Sequence, residues 1–536
     1  MIRILPVLFC LLLCASSASA QRYVRYVYLD KRDVFDSTQS DWFFGARLVN
    51  ALHVLTRDYV IYDEVLVKEG DELNDDALDE TERNLRRTGL FTRVRVYVDS
   101  VAEDSVDVTI LTQDKWSTAG AVLFGSGGGT QNYGASVEEQ NLAGIGLQLG
   151  GTALYRTEND IGWQGILQLN QRRLARSEFT FAARVLANRI RTEQGVLFEV
   201  PFRTLNTRSS YFLQLVNTYG DDFLYTGGNK TPQLLPFHVK RAQAMYSRSS
   251  GGNDRYFGSA LLSIEDVQRI APQFRQAFDN TGKVLMTVSS LRQNFIQVSG
   301  VNGYEKEDIP IGAWGMAVLG YMFPMNGNGE RAYYVGGMAE QSGLLWNERI
   351  YLYGHAQGAS GFYESQAKYT YFEAAGIGNW RISPFFVIAA RFRGQTSWNW
   401  NAYRQLVLDN DAGLRGYTTN GLAGDNRFIA NLELRAFPDV NIWIFRLSGA
   451  AFYDVGAVWN QANKLSATRF HNALGIGVRI INTKASGGSA ILRFDAAYNF
   501  DEQKFGLVFS SDQLFSAFGK HVFRSPQLLG TTIDNE

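Results

Sequence analysis

The sequence predicts a β protein: a 16-stranded transmembrane antiparallel β-barrel preceded by one small α/β domain. Glycine (52 residues) and aromatic side chains (13%) are abundant, proline is scarce (10 residues), and the mean hydropathy is slightly negative (−0.17). After residue 14, no apolar run approaches the ~20 residues that a spanning helix needs. From Trp116 onward, segments of about 9 to 15 alternating apolar and polar residues are separated by turn residues, a pattern typical of barrel strands.

Residues 1–20 have the features of a secretory signal peptide. Arg3 supplies the charged end, residues 4–13 form the apolar core, and small residues before Gln21 predict cleavage there. Both cysteines, Cys10 and Cys14, lie in this segment, so we expect no disulfide, thiol nucleophile or cysteine zinc site in the mature chain. The net charge of −1 gives no reason to expect nucleic acid as a partner.

Residues 21–55 are predicted to hold a first strand and a helical insertion of the domain that follows. Tyr23–Leu29 alternates as a strand does, and residues 40–53 predict an amphipathic helix with Trp42 and Phe43 in its apolar stripe. A helix packed on its own domain is the favoured interpretation, and a helix dedicated to a partner is the alternative.

Residues 56–115 predict a compact α/β unit. A first helix is expected over 57–66, and Asn74 is placed to cap a second helix that stops at Gly89. Its acidic first turn and basic last turn suit the helix dipole. Two strands, Thr92–Val98 and Val106–Leu111, complete the order β-α-α-β-β.

Residues 116–515 are predicted to form the barrel, and residues 516–536 a tail that is either periplasmic or tucked into the lumen. About 19 segments alternate, and a barrel with both ends on one side of the membrane needs an even number of strands. A repeat of about 26 residues per strand and turn gives an expected count of about 16. Segments that illustrate the pattern are Ile145–Tyr155, Gln164–Asn170, Ser210–Val216, Val284–Val298, Trp314–Met322, Tyr333–Met338 and Phe385–Phe392.

The last five segments each have one apolar face and one polar face. A charge on the lipid face would cost up to about 2–4 kcal/mol at mid-membrane, so the charged residues are expected to face the lumen. They are Glu433, Arg435, Asp454, Arg479, Arg493 and Asp495.

Asp411–Tyr417 interrupts this regular pattern near the end of a long polar loop. If the loop enters the lumen, the Arg415 guanidinium can bind a wall carboxylate through two parallel hydrogen bonds, and Asp454 is the expected partner. Gly413 and Gly416 allow the backbone to turn sharply there. From the pattern alone, separate polar residues lining a water-filled pore are an equally good interpretation.

Several motifs resemble those of the outer-membrane assembly superfamily that includes BamA, TamA and the mitochondrial sorting protein, also called bacterial surface antigens. Leu414-Arg415-Gly416-Tyr417 is similar to its [VIL]RG[FY] loop motif. Phe452–Trp459, with Asp454 and Gly456, resembles the Asp-x-Gly strand motif that follows the loop. Residues 56–114 look like a single POTRA domain, the docking module of that family.

The resemblance implies a barrel in the bacterial outer membrane, with the N-terminal domain in the periplasm and the loop arginine held by the aspartate of the next strand. The implied function is insertion of barrel proteins into the membrane or export of polypeptides, with no covalent chemistry, cofactor or metal. The implied partners are membrane lipid, unfolded or secreted clients and periplasmic accessory proteins. The implied mechanism is a weak seam between the first and last strands, near Gly125, Phe505 and Phe509, where a client strand can pair.

Three other functions are alternatives to this interpretation. A two-partner-type secretion pore for a single client fits the same motifs, although a single POTRA domain is fewer than either type usually carries. A passive porin requires neither an α/β domain nor this loop. An outer-membrane hydrolase needs a catalytic arrangement that none of the five histidines provides, and His355 is expected at the rim or in the lumen.

Overall fold

The computed structural model describes residues 22–35, 50–51, 53–204, 207–225, 231–270, 272–299, 306–325, 329–442, 445–482, 491–510, 514–515, 518–519, 521–531 and 534. The expected signal peptide and nearly all of the expected helix over 40–53 lie outside the described residues. The chain divides into two compact units, of which the first contains residues 1–119, 138–149 and 171–178. The second unit contains the remaining residues.

The first unit contains an α/β domain with the predicted order of elements. A three-stranded sheet has the order β1-β3-β2, with β1 parallel to β3 and β2 antiparallel to it. The elements are β1 (Tyr23–Arg32), α1 (Asp58–Tyr62), α2 (Asp75–Arg87), β2 (Phe91–Ser100) and β3 (Ser105–Asp114).

Local chemistry sets the bounds of the two helices. Asn74 caps α2 as predicted, its side chain accepting the Ala77 N–H at 3.2 Å. The predicted first helix is too long, since α1 ends at Tyr62. The Leu66 N–H donates instead to the Thr81 hydroxyl at 3.0 Å, which replaces the helical bond that residue 66 would make.

The barrel wall contains 20 antiparallel strands among the described residues, not the 16 that were expected. β21 and β22 count as one strand because both pair with β23. The assumed repeat was too long, because several hairpins turn within two residues, such as 128–129, 252–253 and 364–365. The wall strands are β4 (Thr118–Gly127), β5 (Thr130–Leu142), β6 (Leu147–Arg156), β7 (Gly162–Gln171), β8 (Thr180–Ala187), β9 (Arg191–Val200), β10 (Ser209–Leu224), β11 (Gln233–Gly251), β12 (Asp254–Arg269), β13 (Thr281–Ser299), β14 (Lys306–Pro324), β15 (Ala332–Leu345), β16 (Ile350–Tyr363), β17 (Gln366–Arg381), β18 (Phe386–Trp398), β21 (Asn426–Ala436), β22 (Asn441–Ile442), β23 (Phe445–Trp459), β24 (His471–Asn482), β25 (Ile491–Asn499) and β26 (Lys504–Ser510).

The two faces of the wall strands differ as the alternation predicts. On β21, Leu432 and Leu434 are exposed while Asn431, Glu433 and Arg435 are buried in the interior. Between β18 and β21, two short strands, β19 (Leu406–Leu408) and β20 (Leu422–Gly424), pair only with each other. Within the described part of the chain, no helix is long and apolar enough to cross a membrane.

Candidate functional site: a buried arginine in the barrel lumen

The loop between β19 and β20 is folded by its own aspartate. Asp409 Oδ1 accepts the N–H groups of residues 411 and 412, and Oδ2 accepts the Asn420 N–H at 2.7 Å. The Asp409 carbonyl accepts the Leu414 N–H at 2.7 Å. These bonds form a tight turn that presents Arg415 to the wall.

Two glycines let the turn lie close to neighbouring groups. Gly413 has φ +118° and Gly416 has φ +80°, values that favour glycine. A Cβ atom on Gly416 would lie 3.0 Å from the Ala497 Cβ, and one on Gly506 would lie 2.9 Å from the Gly416 Cα. The loop therefore contacts the inner faces of β25 and β26 closely.

Arg415 is fully buried (0% exposed) and binds Asp454 through both carboxylate oxygens. Its Nε donates to Oδ2 at 2.7 Å, its Nη2 donates to Oδ1 at 2.8 Å, and its backbone N–H donates to Oδ2 at 3.3 Å. The guanidinium carbon also lies 3.3 Å from the centre of the Phe452 ring. A bidentate pair and a ring contact fix both the position and the plane of the guanidinium.

Two more carboxylates meet the same guanidinium. Arg415 Nη1 donates to Glu433 Oε1 at 2.7 Å and to Asp495 Oδ2 at 3.3 Å. Arg435 Nε donates to Glu433 at 2.8 Å, and Arg479 Nη1 donates to Asp495 at 2.5 Å. Each of these two carboxylates is therefore shared between arginines, whereas Asp454 takes Arg415 as its arginine partner.

Arg493 lies further from the centre of this cluster. Its Nε is 3.6 Å from Asp495 Oδ2, which is an ion pair without a hydrogen bond. The six expected luminal residues, together with Arg415, thus form one connected network in the interior of the barrel.

The flanking motif residues anchor the loop. Leu414 is buried against Leu408, Ile429 and Ala473, and Tyr417 donates its hydroxyl to the Asn472 carbonyl at 3.0 Å. A Cβ on Gly456 would lie 2.9 Å from the Leu408 side chain, so the strand motif glycine admits β19 close to the wall.

Sequence reasoning missed two polar contacts of the loop. Asn431 Nδ2 donates to both Asp454 Oδ1 and the Gly413 carbonyl, each at 2.7 Å. Arg391 Nη2 donates to the Ala412 carbonyl at 3.0 Å. Alternation places Asn431 on the same face of β21 as Glu433, but it does not show which groups the Asn431 side chain contacts.

The junction of β26 with β4 has a short ladder. Among the described residues one pair is in register, Phe509 with Ser126, whereas β25 and β26 share seven. The Phe124 and Phe509 rings lie 4.9 Å apart, a Cβ on Gly125 would lie 4.0 Å from the Phe509 carbonyl, and Phe505 is 72% exposed. The expected seam residues therefore lie on both sides of a weakly paired junction.

The arginine loop reaches both sides of this junction. The Thr419 N–H donates to the carbonyl of Gly128, in the turn after β4, at 2.9 Å. On the other side, Gly416 packs against Gly506 of β26.

Two further positions were placed by the structure. Phe515, expected to end the last strand, lies beyond β26 with its ring 5.3 Å from the Arg391 guanidinium and 5.1 Å from that of Arg435. His355 is on β16, 3.7 Å from Glu340 and 3.8 Å from Glu373. In the described ranges, no group of three or more His, Cys, Asp or Glu side chains is placed to hold a metal ion.

Comparison with known proteins gives one family match. Residues 52–113 match the model "POTRA: Surface antigen variable number repeat". No curated protein matches the sequence.

Solved structures give three distant similarities. BamA from Haemophilus ducreyi lacking POTRA domains 1–3 is 14% identical, with a TM-score of 0.45, over 91% of this chain and 84% of that one. CdiB from Acinetobacter baumannii is 12% identical, with a TM-score of 0.42, over 92% and 74%. CdiB from Escherichia coli is 9% identical, with a TM-score of 0.40, over 92% and 76%. The BamA and CdiB structures are similarly distant from this chain.

The chain therefore has a domain that matches the POTRA model, and a closed antiparallel β-barrel follows it. One POTRA domain followed by a barrel is similar to the arrangement of the Omp85 superfamily, which includes BamA-like and TpsB-like proteins. The POTRA domain and the barrel that the motif resemblance implies are confirmed.

Proposed function

We propose that the protein inserts barrel proteins into the bacterial outer membrane or exports polypeptides across it, using the β26–β4 junction as a seam that opens. The observation that carries the proposal is that the described residues form one registered pair at that junction, next to a loop that contacts both sides. Unpaired N–H and C=O groups at a strand edge are a template for an incoming strand.

Because the buried arginine fixes the position of the loop, the loop can stabilise the closed state of the seam. Arg415 ties the loop to β21, β23 and β25, while Thr419 reaches the turn after β4. Opening of the seam then separates groups that the loop contacts on either side. In this mechanism the loop stabilises the closed state, and Leu414, Gly416, Tyr417, Phe452 and Gly456 position it.

The POTRA domain supplies a docking surface for clients in this proposal. The sheet order β1-β3-β2 leaves β1 and β2 at its edges, and an extended client segment can add to such an edge through backbone hydrogen bonds. Lipid around the barrel and periplasmic accessory proteins are the other proposed partners.

Crosslinking the seam tests the proposal. Cysteines at Ser126 and Phe509, the registered pair, are expected to form a disulfide that stops accumulation of clients, and reductant should restore it. The matched control places cysteines at Ala496 and Leu507, a registered pair between β25 and β26 that stays paired throughout.

The outcomes distinguish barrel assembly, two-partner-type secretion and passive transport through a porin. Loss of other barrel proteins from the outer membrane on oxidation supports assembly, and loss of one secreted protein supports a two-partner-type pore. Unchanged levels of both with the seam fully crosslinked refute an opening seam. Loss of solute uptake alone supports a porin instead.

A further inference from the structure

The described residues after β26 form no helix or strand, yet several of them are buried in the interior of the barrel. His521 and Leu529 are buried, and Gly519 and Pro526 are buried with them. A backbone without regular structure needs other partners for its N–H and C=O groups when it is buried. Side chains of the wall supply some of these partners, since the Gly519 N–H donates to the Tyr351 hydroxyl and the Leu529 N–H donates to the Tyr334 hydroxyl.

A carboxylate on β15 holds the first part of this tail. Glu340, itself fully buried, accepts a bond from Arg524 Nη2 at 2.7 Å, and His521 Nδ1 lies 3.2 Å from its other oxygen. His521 Nε2 lies 2.6 Å from the Ser342 hydroxyl, and the Gly519 N–H donates to the Tyr351 hydroxyl at 3.0 Å. His521 and Arg524 are therefore matched by acceptors on the wall.

An aromatic pocket holds the middle of the tail. The Phe523 ring lies 5.0 Å from that of Phe202, 4.8 Å from that of Phe257 and 6.0 Å from that of Trp314. The tail and the wall thus meet through an aromatic side chain with basic side chains on either side of it.

Hydrogen bonds hold the far end of the tail to the residues that lead into the arginine loop and to β21. Asp534 Oδ2 accepts bonds from Arg427 Nη1 at 2.7 Å and from the Val407 N–H at 3.0 Å. The Asp534 N–H donates to the Gln405 carbonyl at 2.9 Å, and the Gln405 side chain donates to the Asp534 carbonyl at 2.8 Å. Two of these bonds involve the backbone of Asp534 and two involve its carboxylate, so the far end of the tail is held through both its backbone and its side chain.

Part of the tail borders a polar cavity. The cavity has a volume of about 470 Å³ and is lined by residues 525–528 of the tail and by Glu199, Arg241 and Lys283 of the wall, among others. This part of the tail therefore borders open polar space as well as the wall.

We propose that the luminal face formed mainly by β12 and β14–β17 is a binding groove for an extended polypeptide segment with an aromatic residue flanked by basic ones. Its intramolecular occupant is the tail, described at residues 518–519, 521–531 and 534, which narrows the passage until it is displaced. The proposal is independent of the proposed function, because the groove can be emptied and refilled without any client.

Conductance in planar lipid bilayers tests the proposal directly. A chain ending at residue 517 is expected to conduct several-fold more current than the full chain. A synthetic peptide of residues 518–534 should reduce that current to the full-chain level, and a peptide carrying His521→Ala, Phe523→Ala and Arg524→Ala should leave it unchanged.

A full-length variant guards against misfolding of the truncated chain. A Cβ on Gly519 would lie 2.0 Å from the Tyr353 ring, so Gly519→Val should unseat the tail and raise the current. Val522 is 49% exposed, and Val522→Ala is the matched control that should conduct as the full chain does. Equal currents from the full chain, the truncated chain and Gly519→Val overturn the proposal, as does a peptide that leaves the truncated barrel open.

Discussion

The Arg415–Asp454 pair yields the sharpest prediction. Arg415→Ala removes three bonds of 2.7–2.8 Å, two of them to Asp454 and one to Glu433. Glu433 keeps Arg435 at 2.8 Å, but Asp454 keeps only the 2.7 Å bond from Asn431 and the backbone N–H at 3.3 Å. Removing one partner of a buried pair costs about 3–5 kcal/mol, and the bond from Asn431 places the expected cost near about 3 kcal/mol.

Hydrogen exchange of the loop amides measures this cost as a lower free energy of local opening. The barrel is expected to stay folded, because its ladders do not include the loop. In a double-mutant cycle, Asp454→Asn alone and Arg415→Ala alone should each loosen the loop, and the double variant should loosen it by less than their sum.

An exposed bidentate pair provides the control for the cycle. Arg292 and Asp254 join β13 and β12 through bonds of 2.6 and 2.7 Å, but both side chains are exposed. Their coupling energy is expected to stay below about 1 kcal/mol. If the Arg415 and Asp454 variants are additive within about 0.5 kcal/mol, the pair does not fix the loop.

Three further predictions concern the loop and the POTRA domain. Gly416→Ala, with φ +80° and a Cβ 3.0 Å from that of Ala497, should lower the free energy of loop opening by about 1–2 kcal/mol, seen as faster proteolysis at the loop. Asn74→Ala should destabilise the POTRA domain by about 1 kcal/mol through loss of the α2 cap, measured by hydrogen exchange of α2 amides. The hydrogen bond to Asp114 raises the pKa of His53, so its contribution is complete below the unfolded-state pKa and is lost as pH rises through the higher folded pKa. Exchange of β3 amides should therefore speed up as pH rises above neutrality, beyond the intrinsic rate increase, and His53→Asn should abolish that excess.

Most of the features that could be predicted from the sequence follow from the alternation of apolar and polar residues along the strands. Glu433 and Asp495 face the interior because a period of two fixes the face of every strand residue once one residue is placed. The Asn74 cap was also predictable, because a helix cap depends on residues close in sequence. The strand count was not, because alternation does not show whether a segment turns within two residues or runs on.

Several contacts between residues distant in sequence were beyond prediction. α1 ends early because of a hydroxyl 15 residues further on, at Thr81. Asn431 contacts the loop across 18 residues, and the tail meets Glu340 across more than 180. Polarity marks such residues as luminal, but only the fold selects their partners.

Asp534 binds β19, the strand that leads directly into the arginine loop. If the hydrogen bonds of β19 differ between the bound and the displaced tail, then the tail and the arginine loop share a coupling free energy. Such coupling acts equally in both directions. Displacing the tail would then change the stability of the arginine loop, and releasing Arg415 would change the affinity of the barrel for the tail by the same free energy. A polypeptide that displaces the tail would thereby change the stability of the closed seam without contacting it.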